Sequence, residues 1–338
     1  MKIVLAAPLY PPEIGGPASY AKALNEGLSA RGHTTILVKF SDVRQYPNGV
    51  RHLLYFWKVF SALRGADVVM GFDTWSSGMP AMLAAKLCGK KMLVRIGGDF
   101  LWEAYVQRTH KLVRFSEFYN EKANFSLKEL VTFMGTRWLT RHMDLMVFNT
   151  AWQKDLWEIM YGFNPQKAMV IENEYPATRQ LSPAKGHVFV AAARANFLKN
   201  TESVEAAFRD LKHLFPDIEL DARLVPPDEH RARIRDSYAI VIPSLSEMSP
   251  NTAIDALTYG KPFIMTSDTG ARERLANAGI FINTLDAGAL RQAMKTLLDP
   301  IEYERACARV QAFTFSHSWG EVVQEFLVAL THLCASSR

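Results

Sequence analysis

The sequence predicts an α/β protein of two doubly wound domains facing a central cleft, the second shorter than the first. Three observations carry that prediction. The chain has 338 residues, about twice the length at which a single domain is usual. Short apolar runs such as KIVLAAP, TTILVKF and ADVVMGF are continuous rather than alternating, as in parallel strands buried on both faces. Stretches of helical spacing separate them, and a second series of the same kind follows a polar, proline-bearing break.

In chain order, KIVLAAP reads as a buried first strand. With one lysine, a short apolar run and no cleavage site, MKIVLAAPLYPP does not read as a secretory leader. The loop LYPPEIGGPAS leads into YAKALNEGLSARGH, a helical period that stops at Arg31-Gly32. TTILVKF, ADVVMGF, KKMLVRIGG and DLMVFNT are further strands. MPAMLAAKLCG and AWQKDLWEIMYG are helices, and KAMVIEN closes a first domain over 1–173. EYPATRQLSPAKG, 174–186, has no apolar period and two prolines, and reads as a linker. A second domain over 187–314 takes its strands from HVFVAAA, IELDARLV, YAIVIPS and KPFIMTS. Its helices are NTESVEAAFRDLKHLFP, NTAIDALTYG and DAGALRQAMKTLLD. Residues 315–338 carry a helix from about Trp319, whose apolar positions Val322, Val323, Phe326, Leu327 and Leu330 are expected to pack back toward the first domain.

The bulk composition narrows the function classes. Apolar residues make up 49% and charged residues 22%, an ordinary globular balance with no sign of extended disorder. Cys88, Cys307 and Cys334 have neither paired nor metal-ligand spacing, which points to a reducing, cytoplasmic setting. No run reaches the roughly 20 apolar residues that span a bilayer. Net charge is +5, unevenly placed: residues 1–170 carry 21 Lys/Arg against 13 Asp/Glu, and the remainder 18 against 21. A basic first half fits an anionic small molecule or lipid surface. No zinc-finger spacing, RNP-like stretch or repeated basic-aromatic module supports nucleic acid as a partner. The nine histidines are scattered, and HExxH, GxSxG, GxGxxG and GK[ST] are all absent. Metallohydrolase, serine hydrolase, dinucleotide and P-loop readings lose their usual support.

Four places carry candidate chemistry. In SLSEMSPNTAIDALTYGKPFI, a loop follows the strand YAIVIPS and Pro250 precedes a helix that Asn251 could cap. The first-turn amides can donate to a phosphate or a sugar hydroxyl. Glu247 stands before that helix and Asp255 about one turn inside it. They either reach two parts of one ligand or are an ordinary loop acid and helix acid. In VAAARANFLKN, Arg194 and Lys199 flank a loop after a strand. They can hold a diphosphate, Arg194 as a fork and Lys199 as a point charge, or be a solvated basic pair. Gly15-Gly16 permits close backbone approach after the first strand. Asp99, in VRIGGDF, either orients an acceptor hydroxyl or caps a helix.

With those residues in place, the chain resembles the glycosyltransferases of family 4, also called group 1, whose two Rossmann-like domains form the GT-B arrangement. The likeness spans most of the chain. Its marks are the Gly-Gly loop, the Arg194…Lys199 pair, the Ser244-to-Ile264 block with seven residues between its two acids, and the returning C-terminal helix. The resemblance implies a retaining hexosyltransferase that uses a UDP- or GDP-sugar, needs no bound metal or other cofactor, and acts on a glycan or lipid-linked acceptor. It implies that Gly15 and Gly16 approach the donor, that Arg194 and Lys199 neutralise the diphosphate, and that Glu247 contacts the transferred sugar. The amides of Met248, Ser249, Asn251 and Thr252 would cradle hydroxyls or phosphate, and Asp255 the ribose. Asp99 is the nearest polar candidate where many relatives have a histidine near Gly97 or Gly98.

The chain also departs from that pattern. Asp255 stands where glutamate is usual. About a dozen residues, PPDEHRARIRDS, replace a glycine-rich turn, a helix and a strand, and IENEYP stands at the interdomain crossover. The pared-down second domain keeps open a different class, a catalytically weak sugar-nucleotide-binding protein that supports another transferase. An epimerase or phosphorylase finds no acid-base set of its own. YVQRTHKLVRFSEFYN mixes cations with aromatics and reads either as a helix lying on an anionic membrane, at the inner face, or as one packed on its own sheet.

Overall fold

The computed structural model describes residues 1–13, 15–120, 125–191 and 197–335. The chain divides into two compact units, one of Met1–Leu101, Asn124–Glu174 and His317–Arg338, the other of Trp102–Ala123 and Tyr175–Ser316.

The first unit is built on a six-stranded sheet. In chain order its strands are β1 (Lys2–Ala7), β2 (Thr34–Lys39), β3 (Val68–Gly71), β4 (Lys91–Ile96), β5 (Leu145–Phe148) and β6 (Ala168–Val170). They lie in the order β2-β1-β3-β4-β5-β6, with every pair parallel. Parallel neighbours need a crossover, and crossovers are right-handed. That rule puts α1 (Gly16–Ala30), which joins β1 to β2, on one face of the sheet. It puts α2 (Val50–Ala62), α3 (Gly78–Leu87), α6 (Leu127–His142) and α7 (Ala151–Tyr161) on the other, each touching the next. The apolar face expected of the C-terminal segment is α14 (Trp319–Ala335), which joins α1 over Leu5, Met70 and Leu93. Gly27 lets the two helices close, since a Cβ there would lie 2.5 Å from Val323 Cγ2. The start of α14 is tied down by polar contacts. His317 Nδ1 meets the Asn173 carbonyl at 3.1 Å, and the buried Arg95 donates to Asn173 Oδ1 at 3.0 Å with its guanidinium 3.6 Å from the Tyr20 ring centre.

The second unit holds a five-stranded parallel sheet of β7 (His187–Ala191), β8 (Ile218–Asp221), β9 (Ala239–Ile242), β10 (Phe263–Thr266) and β11 (Ile280–Ile282), ordered β11-β10-β9-β7-β8. One face is covered by α8 (Thr201–Lys212) and α12 (Ala287–Leu297), through Val204, Leu211, Leu290 and Met294. The other is covered by α9 (Pro227–Asp236), α10 (Asn251–Tyr259) and α11 (Arg272–Leu275), through Ile234, Leu257 and Leu275. From α13 (Pro300–Gln311), Ala306 joins the first of these cores and Val310 the second. In PPDEHRARIRDS the helix is present as α9, and the chain runs from it straight into β9.

Two segments differ from the sequence expectation. Residues 174–186, read as a linker, begin where the two units divide, at Glu174, and are bonded rather than free. Gln180 N bonds the Thr258 carbonyl at 2.7 Å, Arg179 Nη1 that of Leu257 at 2.7 Å, and Ser182 N that of Tyr259 at 3.3 Å. These are the last three carbonyls of α10, of which that of Leu257 also accepts from Gly260 N at 3.3 Å, so the segment works as a cap on the helix end. Residues 105–120 are not one amphipathic helix. α4 (Phe100–Thr109) ends where His110 takes a φ of 55°, and only α5 (Phe115–Phe118) follows. Val113, Phe115 and Phe118 are buried, so they are not offered to a bilayer. Although read as part of the first domain, 102–123 belongs to the second unit.

Past the end of α10, the buried Lys261 donates to the Ser182 carbonyl at 2.8 Å, and burial pushes its ammonium down from 10.5 to about 8. A folded pKa below the unfolded value means that the unfolded chain holds the extra proton between those two values, so stability rises with pH across that window. Thermal unfolding of wild type and Lys261→Met between about pH 7 and about pH 10 tests this. The melting temperature of the variant relative to wild type is expected to fall steadily as pH rises, and a constant difference would remove the linkage.

Candidate functional site

In parallel α/β sheets the loops at the carboxyl ends of the strands converge on one edge, which is where ligands bind. In the second unit four such loops are stitched together. After β7, the 3-10 turn Phe197–Lys199 leads to Asn200, which takes a left-handed φ of 47°, a conformation asparagine tolerates, and α8 then begins at Thr201. The Leu198 carbonyl accepts from Leu245 N at 2.9 Å, joining this turn to the loop after β9. Asn200 Nδ2 donates to the Thr284 carbonyl at 3.0 Å, and Thr284 Oγ1 to that of Ser244 at 3.1 Å, bringing in the loop after β11. Glu247 N donates to the Asp268 carbonyl and Gly270 N to that of Glu247, both at 3.0 Å, so the loops after β9 and β10 run side by side.

This framework aims Glu247 at Lys199. Glu247 Oε1 accepts from Ser244 Oγ at 2.6 Å and forms an ion pair with Lys199 Nζ, both side chains being largely covered. Two residues weighed separately in the sequence therefore meet. A ligand phosphate would compete with Glu247 for the ammonium, and sugar hydroxyls could donate to the carboxylate. Next to Glu247, Met248 is buried and Ser249 half-buried. Pro250 holds the cap position of α10 with no side-chain cap bond. Asn251 is thus the first helical residue, not the cap expected of it. Thr252 follows it and Asp255 lies half-buried one turn on. The positive end of the α10 dipole points to the Glu247 loop.

A contribution from far away in the sequence completes the edge. Asp268, 8% exposed, accepts from Ser246 Oγ and from Ser116 Oγ, and Ser116 N approaches it at 3.4 Å. Phe115 N donates to Ser246 Oγ at 2.7 Å. The His110 ring stacks on Phe197 at 3.9 Å and 12°, just ahead of Lys199. Trp102 supports this insertion, donating Nε1 to the Val113 carbonyl at 2.9 Å and meeting Phe115 edge-on.

The other expected residues fall elsewhere. Arg194 lies outside the described residues. Gly15 precedes the first turn of α1 with φ 156°, a value that favours glycine, and Gly16 opens that helix. Asp99 is fully buried in the first unit, its Oδ2 accepting from the Tyr161 hydroxyl at 3.1 Å. That bond ties the loop after β4 to α7. Sequence reasoning passed over Asp268, although an acid just after the strand KPFIMTS has the same setting as Glu247. His110 and Ser116 gave no signal, because nothing local marks a partner as far along the chain as Phe197 is from His110 or Asp268, 152 residues on, is from Ser116. Among the described residues no group of three or more His, Cys, Asp or Glu could hold a metal ion.

Residues 187–300, a third of the chain, match the family model described as Glycosyl transferases group 1. Among solved structures, the chain is similar to sucrose-phosphate synthase from Thermosynechococcus elongatus, with a TM-score of 0.71 and 15% identity over 99% of both chains. It is similar to the HepE protein of Anabaena in complex with UDP, with a TM-score of 0.69 and 12% identity over 98% of this chain and 100% of that one. WaaG, a glycosyltransferase involved in lipopolysaccharide biosynthesis, gives a TM-score of 0.66 and 13% identity over 97% and 99%. At such identities the likeness establishes the fold, two Rossmann-like domains of the GT-B kind. No curated protein matches the chain by sequence.

The Asp268 contacts make a structural forecast. Asp268→Ala would leave two hydroxyls without their buried acceptor and cost about 2–4 kcal/mol, whereas Ser116→Ala would cost about 1 kcal/mol. Urea unfolding measures both. Hydrogen exchange at amides 110–118 should speed up in each variant, and unchanged protection would show that the insertion is held by other contacts.

Proposed function

We propose that this chain, whose residues 187–300 match the group 1 glycosyltransferase model within a GT-B fold, transfers a hexose from a UDP- or GDP-sugar to a glycan or lipid-linked acceptor with retention of configuration. One observation carries the reading. Within the matched segment, Lys199 and Glu247 are brought from 48 positions apart into an ion pair at the carboxyl edge of the sheet, next to the start of α10. A cation, a carboxylate and a helix N-terminus on one edge suit a ligand with a diphosphate at one end and sugar hydroxyls at the other.

Bound donor would displace Glu247 from Lys199. The ammonium then faces the diphosphate and the carboxylate takes hydroxyls of the sugar. The bond from the anomeric carbon to the diphosphate oxygen breaks, and its electron pair leaves with the phosphate. The acceptor oxygen forms its bond on the same face and gives its proton to the departing phosphate oxygen. Charge grows on the leaving diphosphate as that bond lengthens, so Lys199, with Arg194 beside it in sequence, stabilises the transition state more than the ground state. Asp255 is assigned to the ribose, and the backbone from Met248 to Thr252 to sugar or phosphate oxygens. UDP is the first nucleotide to try, because the similar HepE protein has been solved with UDP-glucose.

Isothermal calorimetry with UDP, GDP and ADP, on wild type and on Lys199→Ala, is the test. One nucleotide should bind with a dissociation constant of roughly micromolar size, and Lys199→Ala should weaken it about tenfold, near 1.4 kcal/mol. Glu247→Gln should leave nucleotide affinity within about threefold and lower donor turnover about a hundredfold or more. If no nucleotide binds wild type, the donor site is refuted. If one binds with no turnover on any acceptor, the chain is a sugar-nucleotide-binding protein rather than a transferase.

A further inference from the structure

Helix α6 is folded inside out. Its buried side carries Glu129, Thr132, Thr136 and Thr140, with Leu139 the apolar exception. The outward side carries Leu127, Val131, Met134 and Trp138, a single stripe at helical spacing, with Leu130 beside it. Leu127 is 79% exposed and Met134 69%. The inward side is close-packed at Gly135, where a Cβ would stand 2.5 Å from Trp75 Cζ3 and 3.4 Å from Met79 Cε. Helices that face water show the opposite pattern.

The neighbours of α6 continue the feature. Along the same face of the first unit, α3 exposes Leu83 and Leu87, and α2 exposes Val50, Leu53 and Trp57. Ten of the twenty large apolar side chains that are exposed among the described residues lie on these three helices. Singly exposed apolar residues need no explanation, but a concentration on adjacent helices marks an interaction surface.

Charge identifies the occupant. The three helices carry Arg51, Lys86, Lys128, Arg137 and Arg141, besides Lys58, which Asp42 neutralises at 3.1 Å. Their one carboxylate, Glu129, is buried and used up in the capping box of α6. The next helix, α7, brings back acids with Asp155 and Glu158, so the one-signed field ends there. A second copy docked face to face would set these cations against their own images. An anionic bilayer instead takes apolar side chains at the acyl boundary and lets lysine and arginine reach its phosphates, with Trp57 and Trp138 at the level between. We infer that the α2–α3–α6 face of the first unit docks on an anionic lipid bilayer. The inference goes beyond the donor-site proposal and stands or falls without it.

Flotation of the full chain with phosphatidylcholine vesicles, with and without about 30 mol % phosphatidylglycerol, tests it. Wild type should float with the anionic vesicles, not with the neutral ones, and high salt should release it. Replacing Leu53, Trp57, Val131 and Met134 together with serine should lower the bound fraction roughly tenfold or more. So should the pair Lys128→Glu and Arg137→Glu, which keeps the apolar stripe and serves as a second variant if the serine one folds poorly. Circular dichroism and thermal unfolding check that each variant is folded. Failure of wild type to float, equal flotation with neutral vesicles, or undiminished binding by both folded variants would overturn the assignment. So would a wild-type dimer that the serine variant dissolves, since a second copy would then occupy the face.

Discussion

Parallel pairing is the constraint from which the other features follow. Every ladder between the described strands of both sheets is parallel, so each strand must be followed by a crossover, and the hand of crossovers is not free. Two consequences are geometric. The loops after β7, β9, β10 and β11 have to meet on one edge, whatever their sequences. In the first unit, α1 and α14 share one face of the sheet while α2, α3, α6 and α7 share the other. The candidate site comes from the first consequence and the unusual outer face from the second.

Convergence alone does not set the position of a side chain to within an ångström. That is done by polar groups placed where water cannot compete. Asp268 offers its carboxylate to Ser246 and Ser116 and its carbonyl to Glu247 N, so one residue binds the loop after β9, the loop after β10 and the insertion from 102–123. Asn200 and Thr284 do the same between the turn before α8 and the loop after β11. The Lys199–Glu247 pair is held by these supports and by the Ser244 hydroxyl. An ion pair so placed contributes less to stability than its charges suggest, because both groups lose water to form it. Its cost is understandable where a ligand is later to take one partner from the other.

The outer face of α6 has the opposite relation to stability. Outward Leu127, Val131 and Met134 gain little from burial within this chain, and inward threonines bury little apolar area. What the inward side does provide is room for Trp75 and Met79 against Gly135. Helical spacing of apolar residues is equally present when the apolar side faces out, so periodicity alone does not reveal it.

The sequence by itself determined the class and order of the architecture. The apolar stretches IVLAA, LMVF and AIVI have no polar position to turn toward water and are short, the pattern of strands buried on both faces, and the apolar face of the last helix needed a surface to cover. Glu247, Lys199 and Asp255 were legible because each stands just past such a run or at the helix start that follows it. Tertiary structure alone decided which of these meet. Lys199 and Glu247 are paired by strand order, since β7 and β9 are neighbours in the sheet but not in the chain. It also decided that Asp99 accepts from Tyr161, that 174–186 caps α10, and that His110 and Ser116 serve the second unit. The physical reason is the same throughout. Local pattern records which side chains avoid water, whereas the partner of a buried polar group is chosen by distance in space, over separations along the chain that no local pattern records.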